Sequence, residues 1–300
     1  MPKERNIPVA GYKAMLFFST VIWGAAFVAM KDAVEVLGPA QLVGVRFLLA
    51  GLILAIIFWK HLRSMFTPGG LRAGAIMGVI LFSAFWLQTL GLAYTTPGVN
   101  AFLTATYCVM VPLIMWMISR RFPGWSCIIA ALTCVVGIGL VSVKPGSFSI
   151  GFGDGITLAG AVIFALEIIC ISRFTKTYDA IGITVIQFIC CGILGLVFGA
   201  IFEPAPDLAA IPPRFFGELA YLVLLSSCVC YICQNVGLAH VPPAQGSLIL
   251  SLESVFGVIC SVLFYGEQLT LPMVAGFALI FVAILISELA PRRNSPIADG

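Results

Sequence analysis

Charge is what this sequence has least of. Of 300 residues, 10% are Asp, Glu, Lys or Arg and only two are His, against 61% apolar residues and a mean hydropathy of +1.10. A soluble globular chain carries about a quarter charged residues, so this composition excludes that class. It also excludes a nucleic-acid partner: the net charge is only +3, and no basic cluster alternates with exposed aromatics. Catalytic signatures are missing as well. No HExxH or GxSxG occurs, both His61 and His240 fall at predicted helix ends, and no Gly-rich loop leads into Lys-Ser or Lys-Thr. A zinc peptidase, a serine hydrolase and an ATP-driven pump are set aside on those grounds, and neither a cofactor nor a metal is implied.

What is present is a series of apolar runs, at about 14–33, 39–59, 72–94, 98–119, 124–143, 154–174, 181–201, 216–238, 244–264 and 271–289. A bilayer core about 30 Å thick takes roughly 20 residues of helix. The expectation is an all-α integral membrane protein of ten transmembrane helices joined by short connections. Lys and Arg orient it. With a cytoplasmic N-terminus, the inner segments carry Lys3, Arg5, Lys13, Lys60, Arg63, Arg72, Arg120, Arg121, Arg173, Lys176, Arg292 and Arg293, while the outer ones carry only Lys31, Lys144 and Arg214. Both termini are therefore predicted in the cytoplasm, in a multi-pass protein of the bacterial inner (cell) membrane with lipid around it. The basic N-terminus ahead of an apolar stretch resembles a secretory signal. Its run is too long and is followed by Lys31 and Asp32, so it reads as the first span.

The chain says nearly the same thing twice. Residues 88–97 read QTLGLAYTTP and 234–243 read QNVGLAHVPP, pairing Gln88 with Gln234, Gly91-Leu92-Ala93 with Gly237-Leu238-Ala239 and Pro97 with Pro243. At a shift of 141 where the first block has 146, Arg46-Phe47 and Gly51 line up with Gln187-Phe188 and Gly192. Two five-helix repeats follow, 14–143 and 152–289. An odd number of spans per repeat makes the second enter the membrane inverted, an arrangement that puts a substrate site where the halves meet. Lys144 to Gly155 reads as the outer connector between them.

Ten cysteines fall almost wholly within spans, where they act as small packing residues. Cys230-x-x-Cys233 with His240 lacks the second Cys/His pair that would complete four zinc ligands. Gly70, Gly74 and Gly78, like Gly195 and Gly199, form small-residue stripes for close helix approach. Pro112 is expected to kink span 4.

Ionisable groups in hydrocarbon are expensive and are functional candidates by default. There are three: Arg46 in span 2, Glu167 in span 6 and Glu253 in span 9. Each also admits a structural reading as packing glue, and Arg46 also one as a snorkelling side chain. Glu253 lies too deep to snorkel and shares a helical face with Gln245, Ile249 and Phe256; a lone carboxylate there is either neutral or matched to a cation. Asn100, Thr104 and Tyr107 line one face of span 4, and Ser227, Tyr231 and Gln234 one face of span 8, with Asn235 beside them. Trp23 and Phe27 share a face of span 1, and Trp86 and Gln88 lie on span 3. Each buried amide needs a partner away from water. One shared cavity would serve Gln88, Asn100, Gln234 and Asn235 together.

These residues resemble a known family, the EamA-type drug/metabolite transporters. The resemblance is carried by Trp23-Gly24, Arg46-Phe47 after Pro39, QTLGLAYTTPGVNAFLTATYCVMVPL (88–113), GDGITLAGAVIFAL before Glu167, LSLESVF around Glu253, YGEQLT at the end of span 9 and Gly276. It covers about residues 14–289. Ser254 follows Glu253 where the family's second repeat has proline, and Tyr107 stands at the matching position of the first copy. The resemblance implies two five-helix repeats and a central cavity lined by spans 1, 3, 4, 6, 8 and 9. It further implies alternating access and the outward movement of a small polar or amphipathic, amino-acid-like substrate. The site residues expected are Trp23, Phe27, Gln88, Asn100, Tyr107, Tyr231, Gln234, Asn235 and Glu253, with Arg46 and Glu167 as further ionisable candidates for coupling or structure. Two alternatives stand beside a carrier: a channel-like facilitator or lipid translocator, and a membrane-embedded enzyme, which would need a nucleophile–base pair or metal cluster at span depth.

Overall fold

Within a bilayer the backbone has no water to bond, so apolar runs satisfy their own N–H and C=O groups as helix. The computed structural model describes residues 8–120, 122, 124–142, 151–207, 209–241 and 243–289, and among them there is helix and no strand. The first half folds as α1 (Val9–Val34), α2 (Pro39–Ile57), the short α3 (Trp59–Ser64), α4 (Pro68–Tyr94), α5 (Pro97–Ala105), α6 (Tyr107–Ser119) and α7 (Trp125–Ser142). The second half begins with α8 (Phe152–Phe174), α9 (Ala180–Phe202) and α10 (Pro213–Tyr221). A π-helical segment, Leu222–Val229, then leads into α11 (Cys230–His240). It ends with α12 (Pro243–Ser251), α13 (Glu253–Cys260), a second π-helical segment Ser261–Tyr265, and α14 (Leu271–Leu289). Among the described residues, eight helical stretches are long and apolar enough to cross a membrane. Two further apolar helices, Trp125–Val141 and Leu271–Ile286, are shorter. The protein is a multi-pass membrane protein.

Helix starts follow local chemistry. Proline opens α2, α4, α5 and α10, where its missing N–H is no loss. The Thr67 hydroxyl accepts from Gly70 N at 3.1 Å, and the Asp179 carboxylate from Gly182 N at 2.7 Å. Of the expected outer connector, residues 144–150 lie outside the described set, and Phe152 to Gly155 are already the first turn of α8. Lys3, Arg5, Arg121, Arg292, Arg293 and the side chain of Gln245 also lie outside it.

Packing joins the two halves. α2 lies along α9, α4 against both α8 and α9, α1 against α11 and α13, and α7 against α14. At the α2–α9 crossing Gly44 faces Gly195; a Cβ on Gly44 would come within 2.5 Å of Leu196 N, so only glycine lets these backbones meet. Gly74 and Gly78 lie on Ile186 and Cys190 of α9, and Gly199 on Gln41 of α2. Gly70 leaves its expected stripe: it faces the Met65 carbonyl and Thr67 at the start of its own helix.

The helix breaks do not follow proline. α6 runs through Pro112, while span 4 is interrupted at Thr106 and span 9 at Leu252. At the breaks Thr106 Oγ1 donates to Leu103 O (2.6 Å), Ser251 Oγ to Leu248 O (2.7 Å) and Ser254 Oγ to Ser251 O (2.7 Å). Tyr107 and Glu253, which the repeat pairs, are thus each the first residue of a new helix. The break also divides the expected Gln245–Ile249–Glu253–Phe256 face. Phe256 meets Phe17 of α1 (ring centroids 6.0 Å apart).

Candidate functional site

A cavity lies where the halves meet, with about 40 Å³ open to the centres of water molecules. α1 contributes Trp23, Ala26, Phe27 and Met30, α2 Arg46, α4 Phe85 and Gln88, and the α5–α6 pair Thr104 and Tyr107. From the second half come Phe164, Glu167 and Ile168 of α8, Ser226 of the π-helical segment, Tyr231 and Gln234 of α11, and Glu253 of α13. Every one of these side chains is buried.

Aromatic rings form the walls. Tyr231 meets Trp23 edge-on (5.4 Å) and packs with Phe47, Phe85 and Phe188, and Phe85 meets Phe164 at 5.2 Å. Trp23 Nε1 donates to Ser226 O at 2.7 Å, which fixes the indole.

Arg46 is only 2% exposed and does not snorkel. Its Nε donates to Ser227 Oγ (2.7 Å), one terminal nitrogen to Ser226 Oγ (2.9 Å), and the other faces Met30 Sδ (3.2 Å). The rings of Phe47 and Phe85 lie 4.9 and 5.0 Å from the guanidinium carbon. Two consecutive serines reach one guanidinium because they sit in π-helix, a widened turn often found at functional sites. Glu167 faces the Gln234 amide and Glu253 the Tyr107 hydroxyl. Among the described residues, ion pairs join His61 to Asp179 and Arg214 to Asp32 and Glu218, so Arg46, Glu167 and Glu253 share one cavity without one. Gln88 Nε2 donates to Thr104 Oγ1 at 3.1 Å, while Gln88 Oε1, Glu167 Oε1 and Gln234 Nε2 have no partner.

Of the residues expected at the site, Trp23, Phe27, Gln88, Tyr107, Tyr231, Gln234, Glu253, Arg46 and Glu167 line this cavity. Asn100 and Asn235 do not. Asn100 Nδ2 donates to Thr157 Oγ1 (2.7 Å) and to Gln88 O (3.2 Å), and Asn235 Nδ2 to Thr184 Oγ1 (2.7 Å), so both clip neighbouring helices together. Gln187, the repeat mate of Arg46, is buried away from the cavity. α2 enters the lining through Arg46 alone, an addition to the spans the resemblance implied. Met30, Phe85 and Ser226 escaped the sequence reading. The Ser226-Ser227 pair in an apolar run was the one visible signal. Among the described residues no three His, Cys, Asp or Glu gather as a metal site.

At the end of the bundle that holds residues 31, 96 and 203, polar side chains join helix ends. Lys31 Nζ donates to Leu92 O (2.8 Å), Ala93 O and Thr95 O (both 3.1 Å), capping α4. Glu203 accepts from Ala40 N and Gln41 N (2.7 and 2.9 Å) at the start of α2. Glu267 accepts from Gly98 N (3.0 Å) at the start of α5 and from the Thr96 and Ser261 hydroxyls. Arg214 bridges to Asp32.

The sequence profile described as the EamA-like transporter family matches residues 12–143 and again 151–289. An uncharacterized transporter of Archaeoglobus fulgidus is 28% identical over 90% of this chain and 83% of its own length. The Bacillus subtilis uncharacterized transporter YvbV is 24% identical over 99% and 97%. A Chlamydia trachomatis protein named S-adenosylmethionine/S-adenosylhomocysteine transporter is 22% identical over 72% and 70%. A solved crystal structure superposes with a TM-score of 0.69 over 93% of this chain and 97% of its own, at 15% identity, a likeness of fold alone.

Proposed function

The chain belongs to the EamA-like transporter family, and from that membership we propose that it is a secondary carrier, not an enzyme. It exports a small polar or amphipathic, amino-acid-like metabolite across the bacterial inner membrane by alternating access. The observation that carries this reading is the buried cavity, built by helices of both halves and lined by aromatic rings and unpartnered polar atoms. A water needs about 10–15 Å³ of such space, so this cavity holds a few waters and must widen to admit a metabolite. That fits an occluded intermediate between two open states. The name of the chlamydial relative supports an organic metabolite as cargo.

Exchange of packing partners supports two inverted five-helix repeats. α1 packs on α11 as α8 packs on α4; α2 packs on the first π-helical segment as α9 packs on α4; α2 with α9, and α7 with α14, join counterparts. α7 and α14, with 18 and 19 residues, are about 27–29 Å long and would complete ten spans. The Lys and Arg bias supports cytoplasmic termini.

Purified protein in liposomes tests the reading. A carrier gives flux that saturates with cargo concentration and shows counterflow, and substituting Gln234 or Tyr231 changes preference among cargos more than expression. Linear, ion-selective current would instead make the protein a channel.

A further inference from the structure

α2 runs away from Glu203 for 19 residues, about 29 Å, and stops at Phe58, whose backbone leaves the helical region (φ −109°, ψ 35°). The chain turns there into α3, and Leu62 N donates to Phe58 O at 3.0 Å. One face of this short helix is fixed. Leu62 and Met65 are buried, and His61 Nδ1 lies 3.1 Å from both carboxylate oxygens of Asp179, the residue that caps α9. α3 is thereby held on the N-terminus of a second-half helix.

The rest of the segment faces outward in two chemistries. Trp59 and Phe66, each 54% exposed, meet edge-on with ring centroids 6.1 Å apart. The preceding turns of α2 expose Leu52 and Ile56. Lys60, Arg63 and, in the second turn of α4, Arg72 are exposed too, and their side-chain nitrogens have no partner among the described residues. Amphipathic rings at the headgroup level and long cations reaching for phosphate are how a helix lies in a bilayer boundary. Orientation bias alone accounts for cations at this end, and Lys13 and Arg173 need no other reason. It calls for neither a helix nor two exposed rings set against each other. The corresponding joint after α9 shows the contrast: its described residues 203–207 and 209–212 form no helix, and their charges are Glu203 and Asp207.

We infer that α3 is the seat of one anionic phospholipid. Lys60 and Arg63 take its phosphate, with Arg72 beside them; Trp59 and Phe66 take its glycerol region, and Leu52 and Ile56 an acyl chain. The occupant is a lipid and not a free phosphate, because the cations adjoin an apolar path that only an acyl chain covers. Bound there, it holds α3 on α9 and steadies one joint between the halves. The site lies outside the cavity and is independent of what the cavity carries.

Native mass spectrometry of the full chain in detergent tests this by counting bound phosphatidylglycerol and phosphatidylcholine of matched acyl chains. The wild-type protein holds one phosphatidylglycerol about tenfold or more tighter than phosphatidylcholine, the size expected of two basic residues at an anionic headgroup. Lys60→Gln with Arg63→Gln abolishes that preference. Lys13→Gln with Arg173→Gln removes as much charge and keeps the preference within about twofold. Lys60→Arg with Arg63→Lys also keeps it, which separates charge from folding. Inorganic phosphate in tenfold excess over the lipid does not displace it. Equal losses in the two Gln pairs would reduce the cations to orientation bias, and displacement by phosphate would make this a small-anion site. Equal wild-type binding of both lipids would mean that no headgroup is read. Each of these results overturns the inference.

Discussion

Glu267 gives the sharpest test of whether the bonds across this end of the bundle hold a closed state. Its side chain is buried and accepts from Gly98 N–H and from the Thr96 and Ser261 hydroxyls, so a carboxylate of the second half sits at the N-terminus of a first-half helix. In Glu267→Gln one oxygen becomes an NH2 group. The hydroxyls can rotate to accept from it, but the Gly98 N–H cannot. A hydrogen bond to a charged group contributes about 1.5–3 kcal/mol and a neutral one about 0.5–1.5, so the substitution removes roughly 1.5–3 kcal/mol from the closed state. Where opening already breaks these bonds, that loss raises the open fraction about ten- to a hundredfold. The assay is labelling of Ser226→Cys on the cavity wall by an impermeant maleimide applied to whole cells, in a background with the ten native cysteines replaced. Labelling should accelerate by that factor, and Thr96→Val should accelerate it less. Unchanged labelling together with a lowered melting temperature would mean that Glu267 holds the fold and not the gate, and the reasoning would fail.

Glu253→Gln should leave the protein folded and abolish pH-dependent flux if that carboxylate carries a proton through the cycle; lowered thermal stability with normally pH-dependent residual flux would assign it to packing. Gly44→Val should destabilise by about 3 kcal/mol or more, because its Cβ meets the Gly195–Leu196 backbone. Gly139→Ala, with nothing within 4 Å, should be neutral or stabilising by up to about 1 kcal/mol in thermal unfolding. Single cysteines at Asp207 and Lys176 should label from opposite faces of the membrane, the first from outside. Labelling of Lys176→Cys by an impermeant outside reagent would invert the proposed orientation.

By itself the sequence determined that this is a helical membrane protein that states its architecture twice. Apolar length is a property of a segment alone, and the repeat is visible as letters, so neither needs tertiary contacts. It also delivered most of the polar lining, since a Gln, Tyr, Glu or Arg in hydrocarbon stands out against its neighbours. What it left undecided is where each of those groups points. Spans that are apolar all round have no marked face, so Asn100 and Asn235 read the same as Gln88 and Gln234, although the first two clip helices and the last two line the cavity. Pro112 lies within α6, and nothing in the letters marked the breaks at Thr106 and Leu252. The seat of Arg46 depends on a π-helical turn that brings Ser226 and Ser227 to the same guanidinium, outside the 3.6-residue period on which sequence patterns rest. The clamps made by Glu203 and Glu267 join residues far apart in the chain to helix N-termini of the other half. Only the crossing of the two halves decides such pairs, because in these segments the burial that selects a partner comes from the facing helix.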